Sequence, residues 1–324
     1  MVRLGTMKAV LATEYGPPEN YVVGDVPVPR PGPGQLLVRI AAASINPADV
    51  VLPGGAYRDV TPLEFPHVPG NDFAGTVVGT GAGVTAFRAG DEIFGQAVPR
   101  VLRAMAGATR PSLSTGSLAE YAVFEADTPL LTHRPPSLSV ADAAALATTG
   151  LTARALILTA QPKAGETALV VGATGGVGTA LVPLLAAAGI TVIATATDED
   201  AGLLRDLGAA DTIGYTDVYP DGVDAAFNLA VPGDRLATLA AAVRPGGQLL
   251  TITYPLPEQD RHDIDLKFVL DLDGALGGMR EVAEAAASGA LPATISRRYT
   301  LDEGPRACVD FVREHTTGKL VVTV

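Results

Sequence analysis

Hydrophobic and polar positions follow two different patterns along the chain. Over residues 1–133, short runs that alternate between apolar and polar residues, such as QLLVRIAAASI and DFAGTVVGTG, are separated by prolines and glycines. A period of two predicts strands with one buried face, and the Pro and Gly positions predict turns between them. This part is expected to form an irregular all-β domain, a partly open barrel.

From residue 134 onward, apolar runs alternate with stretches of helical periodicity. The segment 135–157 is expected to be helical with Ser139 as its N-cap, and Gly189 is expected to follow the C-cap of a later helix. Buried strands are predicted at ITVIATAT (190–197) and PGGQLLTIT (245–253). Strands that alternate with helices predict a parallel sheet with right-handed crossovers.

The last part of the chain is expected to return to the first domain. From about residue 270 it has two helical patterns and then an apolar strand, GKLVVTV, with no helix after it. The expected fold class is α/β. It comprises a β-rich domain at 1–133, completed by about 270–324, and a doubly wound parallel-sheet domain at 134–269.

Residues 168–178, ALVVGATGGVG, carry the strongest chemical signal. An apolar strand leads into a glycine cluster and an Ala/Leu-rich helix. Glycines let the backbone approach a pyrophosphate, and the helix N-terminus offers free N–H groups and the positive end of its dipole. An ordinary glycine turn is the alternative, but the strand before and the helix after favour a dinucleotide site of the Rossmann type. Its candidate residues are Gly172, Ala173, Thr174, Gly175, Gly176, Val177 and Gly178.

Composition and charge narrow the class of partner. The 324 residues carry a formal net charge of −12, so the surface is expected to repel nucleic acid and anionic membranes. We find no charge-free apolar run of about 18 residues that would span a membrane, and no apolar signal core at the N-terminus. Cys308, interpreted as a buried helix residue, is the single cysteine, so no intrachain disulfide forms and a cytoplasmic location is expected.

Motifs in a fixed order reveal a family resemblance. Along nearly the whole chain they are INPAD (45–49), PHVPGNDFAGTVVGTGAGVTAFRAGDEIFG (66–95), GSLAEYAVF (116–124), DAAALATTGLTARALI, the GATGGVG turn and GKLVVTV. The chain resembles the medium-chain dehydrogenase/reductase superfamily, in its zinc-free quinone oxidoreductase-like branch. The resemblance implies a GroES-like catalytic domain, a Rossmann domain, and reduction of a small-molecule quinone or α,β-unsaturated carbonyl by a nicotinamide cofactor.

The resemblance also implies a homodimer joined through the Rossmann domain. The apolar run GGQLLTITY (246–254) is expected near a sheet edge, where it would otherwise be left unpaired. A second subunit would cover it.

Two residues are candidates for acting on the substrate. Hydride addition leaves negative charge on an oxygen, which a hydrogen-bond donor stabilises and a proton neutralises. Asn46, in the Asn-Pro motif of the family, is the candidate donor, and Tyr57 matches the tyrosine that donates the proton in the enoyl-thioester reductase members. The alternatives are a turn-forming Asn46 before Pro47 and a rim aromatic at Tyr57.

A metal is not expected at this site. Zinc-dependent members use a Cys, a His-Glu pair after a glycine, and a lobe with four cysteines. This chain has Asn46 at the first position and Gly70-Asn71-Asp72 at the second. Catalytic zinc prefers thiolate and imidazole ligands, and the four histidines lie in unrelated motifs.

The end of the second Rossmann strand bears on the choice of cofactor. Thr197 and the two residues before it are small or hydroxylated, as in the NADPH-using members, rather than the acid that binds a ribose 2′-OH. Arg205 is the nearest cation, and Tyr215 matches a family tyrosine near the adenine ribose. Asp198 is interpreted as a helix N-cap rather than a ribose ligand, so NADPH is expected, with NADH as the alternative. The remaining cofactor candidates are Thr152, of the TGLTA motif, and Asn228.

Departures from the family pattern bear on the substrate. Val51 stands where many quinone reductases have a second tyrosine, and Pro53 where many have arginine, which makes the pocket more apolar. The stretch 99–115 is interpreted as a solvated loop with a short helix; a lid or a site for an anionic substrate tail is the alternative. Its three arginines are Arg100, Arg103 and Arg110.

The sequence therefore predicts a zinc-independent, NADPH-dependent quinone or enoyl reductase. Two alternatives stay open: a non-reductive or cyclising biosynthetic member of the same fold, and a dinucleotide-binding protein without turnover. Oxidation of the cofactor in the presence of enones and quinones distinguishes these classes.

Overall fold

The computed structural model describes residues 5–103, 107–255, 260–271 and 274–324. The chain forms two units. The first comprises Met1–Thr148, Leu272–Ala287 and Ile295–Val324, and the second comprises Thr149–Asp271 and Ser288–Thr294.

The first unit is built on the strands that the alternating pattern predicts. In chain order, the described elements of its N-terminal part are β1 (Thr6–Leu11), β2 (Val22–Pro27), β3 (Gln35–Ser44), α1 (Pro47–Val51), β4 (Asp72–Thr80), β5 (Glu92–Gln96), β6 (Val98–Pro99), β7 (Leu113–Ser114), β8 (Tyr121–Glu125) and β9 (Leu131–His133). Strands β1 and β2 form an antiparallel pair, and the others follow the order β6-β7-β8-β3-β4-β5-β9. This path has two ends, so the described strands form an open sheet, consistent with the predicted partly open barrel.

Strand β3 leads the chain into the interior of this unit. Most of its side chains are buried, and beside it the rings of Phe73 and Phe124 stack with centroids 3.8 Å apart. Its last residue, Ser44, is completely buried, and the two residues that follow are buried as well. Polar side chains placed here therefore need partners inside the protein.

The second unit has the parallel sheet that the strand–helix alternation predicts. Its elements follow α2 (Val140–Ala160), which begins in the first unit, and are β10 (Thr167–Val171), α3 (Gly176–Ala187), β11 (Thr191–Thr195), α4 (Ala201–Asp206), β12 (Asp211–Ile213), β13 (Val223–Asn228), α5 (Ala237–Ala242), β14 (Val243–Thr251) and β15 (Asp265–Phe268). The strands pair in the order β12-β11-β10-β13-β14-β15, and every pair is parallel. The order reverses between β10 and β13, and α/β sheets bind ligands beyond the carboxyl ends of the strands at such a point.

The boundary between the units falls inside α2, between Thr148 and Thr149, rather than at residue 134. Hydrogen bonds attach the first half of the helix to the first unit. Thr148 donates both its N–H, at 3.1 Å, and its hydroxyl, at 2.5 Å, to Asp72 Oδ1. Long-range side-chain contacts of this kind are invisible in a local sequence pattern.

Two predicted helix ends are confirmed. Ser139 Oγ accepts the backbone N–H of Asp142 at 3.1 Å, as an N-cap side chain does. Gly189, at φ +79°, donates its N–H to the carbonyl of Ala186 at 3.0 Å, and the N–H of the next residue donates to the carbonyl before Ala186 at 3.1 Å. This pair of bonds closes α3 with a left-handed glycine.

The expected position of the apolar run 246–254 is wrong. Most of it lies in β14, which pairs with β13 on one side and β15 on the other. The edge on this side of the described sheet is β15, with the sequence DLKF. A short strand with two charges among four residues does not stand out as a strand before the structure is known.

The C-terminal part returns to the first unit, as predicted. Its elements are α6 (Met279–Ala287), β16 (Ile295–Thr300), α7 (Gly304–Arg313) and β17 (Lys319–Thr323). Strand β17 lies between β16, to which it is parallel, and the end of β3, to which it is antiparallel with Val321 opposite Ser44. Cys308 is fully buried in α7. The last described strand thus completes the sheet beside the end of β3.

Helix α2 is the one helix among the described residues whose length and hydropathy suffice to cross a membrane. Helix α2 contains no charge-free run of the length expected for a membrane span, because Asp142 and Arg154 interrupt its apolar sequence. In its most apolar window of 18 residues, 67% of the positions are buried inside the protein. Core helices have this composition too.

Candidate functional site

Asn46 stands where the chain turns sharply at the end of β3. It is the N-cap of α1, with extended backbone at φ −130°, the conformation favoured before proline. Pro47 then opens the helix, where its missing N–H breaks no helical hydrogen bond. The local sequence INPAD thus directs the Asn46 side chain into the interior, where the residue is 4% exposed.

The Asn46 amide has a fixed orientation. Its Oδ1 accepts a hydrogen bond from Lys319 Nζ at 2.7 Å, and its Nδ2 donates to Asp72 Oδ2 at 2.8 Å and to the Ser44 carbonyl at 3.3 Å. Because an ammonium group only donates and a carboxylate only accepts, the two ends of the amide are not interchangeable. One N–H is bound to an anion at short distance, and the other is held at longer distance by a backbone carbonyl.

Asp72 is the acceptor at the centre of this cluster. Besides Asn46, it accepts the N–H of Thr148 at 3.1 Å and its hydroxyl at 2.5 Å, and Ser44 Oγ donates to it at 2.8 Å. Lys319 Nζ is 3.6 Å from the same carboxylate. These donors offset the free energy lost on burying its charge completely.

Asp49 and Lys319 complete the cluster. Asp49 Oδ2 accepts the N–H of Asn46 at 2.8 Å, and Oδ1 accepts the N–H of Gly70 at 2.9 Å. Burial raises the pKa of Asp49 to about 7, although these two donors oppose the shift. Burial likewise lowers the pKa of Lys319, against the two neighbouring carboxylates. The end of β3 therefore holds one buried ammonium in the neighbourhood of two buried carboxyl groups.

Tyr57 has a different environment from Asn46. It lies in the turns that follow α1 and is 38% exposed. Among the described residues, no hydrogen bond joins its side chain to the Asn46 cluster. The two groups predicted to act on the substrate are thus one buried and one exposed, and their roles stay predictions.

In the second unit, the glycine turn packs so closely against the protein that two of its positions have no room for a side chain. Gly172 has φ +86°, and a Cβ there would lie 2.8 Å from Ala230 Cβ. At Gly178 a Cβ would lie 2.4 Å from Cα of Ala173. Gly175 is the N-cap of α3, whose first N–H groups have no acceptor within the helix. These free N–H groups support the assignment of residues 172–178 to the pyrophosphate of a dinucleotide, which stays a prediction.

Of the residues predicted around the adenine ribose, the structure joins Tyr215 to the glycine turn. Thr174 Oγ1, in the glycine turn, is hydrogen-bonded to Tyr215 OH at 2.7 Å. Arg205 is exposed, and its Nη2 donates to Thr212 Oγ1 at 2.9 Å on β12. Thr174 and Tyr215 thus form one polar surface beside the turn.

The interpretation of Asp198 as a helix N-cap is wrong. Helix α4 begins at Ala201 with Asp200 at the N-cap position. Thr197 Oγ1 accepts the Asp200 N–H at 3.3 Å and donates to its carboxylate at 2.8 Å, so Thr197 stabilises this turn. Asp198 is exposed. Asp198 is therefore an acidic residue that does not cap the helix and that lies close to the end of β11.

Asn228 and Thr152 occupy structural positions. Asn228 is completely buried, and its Nδ2 donates to the Val231 carbonyl at 2.8 Å and to Thr251 Oγ1 at 2.9 Å. It shapes the loop at the carboxyl end of β13. Thr152 is half-buried on α2. A part for either residue in cofactor binding stays a prediction.

The arginines of the stretch 99–115 differ in their surroundings. Arg103 and Arg110 pair with acidic side chains at 3.3 and 2.8 Å. Arg100 has buried Nε and Nη2 atoms without a hydrogen-bond partner in the described part of the chain, and burial lowers its pKa. Residues 104–106 of this stretch lie outside the described residues. Two of the three charges are thus balanced locally.

Sequence reasoning missed Asp49 and Lys319. Lys319 is the one charged residue in GKLVVTV, a strand otherwise composed of apolar residues and a threonine. A lysine at such a position has to find a partner for its charge, and this is the signal that would have found it.

Two family models match the chain. Residues 32–135 match the alcohol dehydrogenase GroES-like domain, and residues 207–322 match a model described as zinc-binding dehydrogenase. In the described ranges of the chain, no three His, Cys, Asp or Glu side chains are grouped so as to hold a metal ion. The described residues therefore contain no cluster of metal ligands that would correspond to the zinc-binding description of the second model.

Individual relatives match over most of the chain. A chloroplastic quinone-oxidoreductase of Triphysaria versicolor is 30% identical over 323 residues, which is 92% of each chain. A chloroplastic NADPH-dependent alkenal/one oxidoreductase of Arabidopsis thaliana is 31% identical over 264 residues, 76% of this chain and 66% of that relative. A mycobacterial protein solved in complex with NADPH superimposes with a TM-score of 0.83 at 27% identity, covering 98% of this chain and all of that one.

Proposed function

Because the chain belongs to the medium-chain dehydrogenase/reductase superfamily, in its quinone oxidoreductase-like branch, we propose that it uses NADPH to reduce a quinone or the activated double bond of an α,β-unsaturated carbonyl compound. It is an oxidoreductase with a GroES-like and a Rossmann domain, and its cofactor is a nicotinamide dinucleotide. Relatives named for quinones and for alkenals support the substrate class.

The observation that carries the proposal is the fixed orientation of the Asn46 amide. With Oδ1 held by Lys319, the amide presents N–H rather than oxygen, which suits a carbonyl or quinone oxygen. The N–H that is held at 3.3 Å by the Ser44 carbonyl is the one that a substrate oxygen would take over. That oxygen gains negative charge as the double bond is reduced, so the hydrogen bond strengthens during the reaction.

The reaction balances with one hydride and one proton. When bound, the reduced nicotinamide supplies the hydride and leaves as the oxidised cofactor. The substrate β-carbon gains the C–H bond, the C=C π bond is lost, and the electron pair moves to the carbonyl oxygen, where Asn46 stabilises it. Tyr57 then donates a proton to the enolate and regains one from solvent.

Cofactor oxidation tests the proposal directly. The protein, incubated with NADPH and a panel of enones, enoyl thioesters and quinones, is expected to oxidise the cofactor with at least one of them, followed at 340 nm. Asn46→Ala is expected to lower kcat by roughly 100-fold, as the loss of one donor at a developing oxyanion does. Tight NADPH binding without oxidation by any compound would instead support the alternative of a binding protein without turnover.

Cofactor preference is the finer part of the proposal. We propose that NADPH binds more tightly than NADH, with Thr197, Arg205 and Tyr215 around the 2′-phosphate. One exposed arginine supplies a preference of roughly tenfold, since a charge-assisted hydrogen bond contributes about 1.5 kcal/mol at the low end. The exposed Asp198, which does not cap the helix, opposes this preference for NADPH, because a carboxylate repels a nearby phosphate.

Two variants test this preference by titration of both cofactors. Arg205→Ala is expected to narrow the difference between NADPH and NADH, and Asp198→Ala to widen it. Equal affinities in the wild type, or tighter binding of NADH, would show that Asp198 binds the ribose instead.

The proposal also covers the oligomeric state of the protein and its location in the cell. We propose a cytoplasmic homodimer that works without metal. The single cysteine supports a reducing compartment, and the family resemblance supports the dimer.

A further inference from the structure

Lys319 is a buried cation whose charge takes no part of its own in the reaction described so far, beyond holding the Asn46 oxygen. Strand β17 brings it beside the end of β3, and it is 6% exposed. Its Nζ donates to the Ile45 carbonyl at 2.5 Å and to Asn46 Oδ1 at 2.7 Å. It is farther from a carboxylate, 3.6 Å from Asp72, than from either neutral oxygen. The ammonium is thus directed at the Asn46 amide and at the backbone that carries it.

Stability alone gives little reason for this arrangement. Replacing a buried ion pair by well-packed apolar residues is often neutral or stabilising, so a buried lysine is weak evidence for a role in folding. A neighbouring apolar side chain of the same strand, Val321, packs against the core without any such contact. The distinctive property of Lys319 is where its charge lies, at the oxygen end of the amide.

We propose that Lys319 is a positioning residue that fixes the Asn46 amide and polarises it toward donation to the substrate oxygen. This inference rests on the proposed function of Asn46. A cation at Oδ1 draws electron density from the amide nitrogen, and hydrogen bonds in such a chain strengthen one another. Asp72 holds one N–H, so the polarisation is expressed at the other.

Because of the charges around Lys319, the experiment has to separate a loss of activity from a loss of stability. Asp72 and Asp49 both face the ammonium and favour its charged form. Removal of the ammonium leaves these carboxyl groups buried without a cation, and this alone lowers stability. A loss of activity therefore needs a readout that unfolding does not produce.

The first experiment compares kinetics and cofactor binding in Lys319→Met and Lys319→Arg. We expect Lys319→Met to lower kcat roughly 10- to 100-fold, with KM changed less than about threefold, because an interaction that matters in the transition state acts on kcat. NADPH affinity, measured by fluorescence titration, stays within about twofold of the wild type if the chain is folded. Lys319→Arg keeps a cation with donors and is expected to recover part of kcat.

Two controls match the change in charge and the change in packing. Lys8→Met removes a lysine from an exposed ion pair of the same unit, 2.9 Å from Asp302. Val321→Ala removes buried apolar volume from the same strand. Both are expected to keep the wild-type kcat, and Val321→Ala to lower the melting temperature.

A second readout does not depend on turnover. The side-chain ¹⁵N–¹H signals of Asn46, assigned by comparison with Asn46→Ala, are expected to move upfield in Lys319→Met and to exchange faster with water. Unchanged signals together with a wild-type kcat would overturn the inference.

If Lys319→Met does not fold, a second pair of variants tests the inference. Asp72→Asn and Lys319→Met/Asp72→Asn differ only in the lysine, and the double variant keeps the formal net charge of the wild-type cluster. A further fall of kcat in the double variant supports the inference, and equal kcat values contradict it. If the wild type itself oxidises no cofactor with any compound, the proposed function fails, and the Asn46 signals still test the link to Lys319.

Discussion

Gly178 accepts no side chain in the conformation of the glycine turn. A Cβ there would lie 2.4 Å from the Cα and carbonyl oxygen of Ala173, which are backbone atoms that cannot move aside cheaply. We expect Gly178→Ala to weaken NADPH binding by more than tenfold and to lower the free energy of unfolding by about 1–3 kcal/mol, the range for overpacking. Cofactor titration and thermal unfolding measure the two effects.

The matched control for that change is Gly202→Ala. Gly202 lies in α4 of the same unit, and a Cβ there meets no atom within 4 Å. Alanine in a helix is more stable than glycine by about 0.5–1 kcal/mol, so this variant is expected to gain stability and keep its affinity. Equal NADPH affinities in the two variants would contradict a dependence of cofactor binding on the tight packing of the turn at Gly178.

Asp49 predicts a pH dependence of stability. Burial raises the pKa of Asp49 in the folded protein to about 7 from its ordinary value of 3.8, so the folded state binds its proton more tightly than the unfolded state. The contribution of Asp49 to the free energy of unfolding is therefore fully present below about pH 4 and is lost as the pH rises through 7. At about 1.4 kcal/mol per pKa unit, the upper bound of this change is about 4 kcal/mol.

Chemical unfolding between pH 4 and 8 measures this slope against Asp49→Asn. His67 contributes the opposite trend, because burial lowers its pKa to about 4 and disfavours its charged form in the folded state. Since His67 is present in both proteins, only the difference between them reports on Asp49. A constant difference over this pH range would contradict the raised pKa.

At the scale of elements, helix ends that a single distinctive residue marks were predictable. The first turn of the helix after β11 and the order of the strands at the sheet edge were not. Ser139 and Gly189 announce helix ends by their own side-chain or backbone properties, and both act as predicted. Asp198 was assigned to a cap that Thr197 and Asp200 form instead, because three acidic residues in a row leave the position of the first helical turn undetermined. Strand β14 was placed at an edge because β15 is short and charged.

The correct edge strand changes where a dimer interface is expected. Strand β15 pairs on one side with β14 among the described strands, and an unpaired edge invites pairing with a second copy. Apolar side chains accompany it: the rings of Tyr254 and Phe268 lie 4.9 Å apart, and Leu270 is 52% exposed. We expect light scattering at micromolar concentration to give twice the chain mass of 33.0 kDa.

Leu270→Glu is expected to shift that equilibrium toward the monomer, since it places a charge next to the edge. Val218→Glu is the control, because Val218 is an exposed apolar residue of the same unit that lies after β12, at the other end of the sheet. A wild-type mass of one chain would refute the dimer, and an equal effect of both variants would refute this edge as the interface.

At the scale of the whole molecule, the order of motifs was sufficient to predict the two-domain architecture and the family. The buried cluster was only half predictable. Asn46 belongs to a motif, but its partner Lys319 is 273 residues away, and its partner Asp72 is 26 residues away. A sequence shows which side chains need partners, whereas the fold decides which partners they meet.

The whole molecule is also the scale at which metal independence is tested. By the family resemblance, Asn46, Asn71 and Asp72 stand at the motif positions of the zinc-dependent members, and two of these three side chains are amides, which are poor ligands for catalytic zinc. Exhaustive chelation followed by gel filtration is expected to leave kcat and KM unchanged. As the control, a zinc-dependent dehydrogenase treated in parallel has to lose its activity. A loss of activity in this protein that added zinc restores would contradict the prediction.

The pairing of β17 with β3 has a consequence during protein synthesis. Lys319 and its acceptor Ile45 are separated by 274 residues, so β3 leaves the ribosome long before the strand that completes its sheet. Until then the end of β3, Asn46 and both carboxyl groups lack their cation and one neighbouring strand. The Rossmann sheet, made of a nearly continuous stretch, has all its strands earlier. We therefore expect the residues of the dinucleotide site to be complete in a nascent chain before those of the Asn46 cluster, which forms only with the final strand.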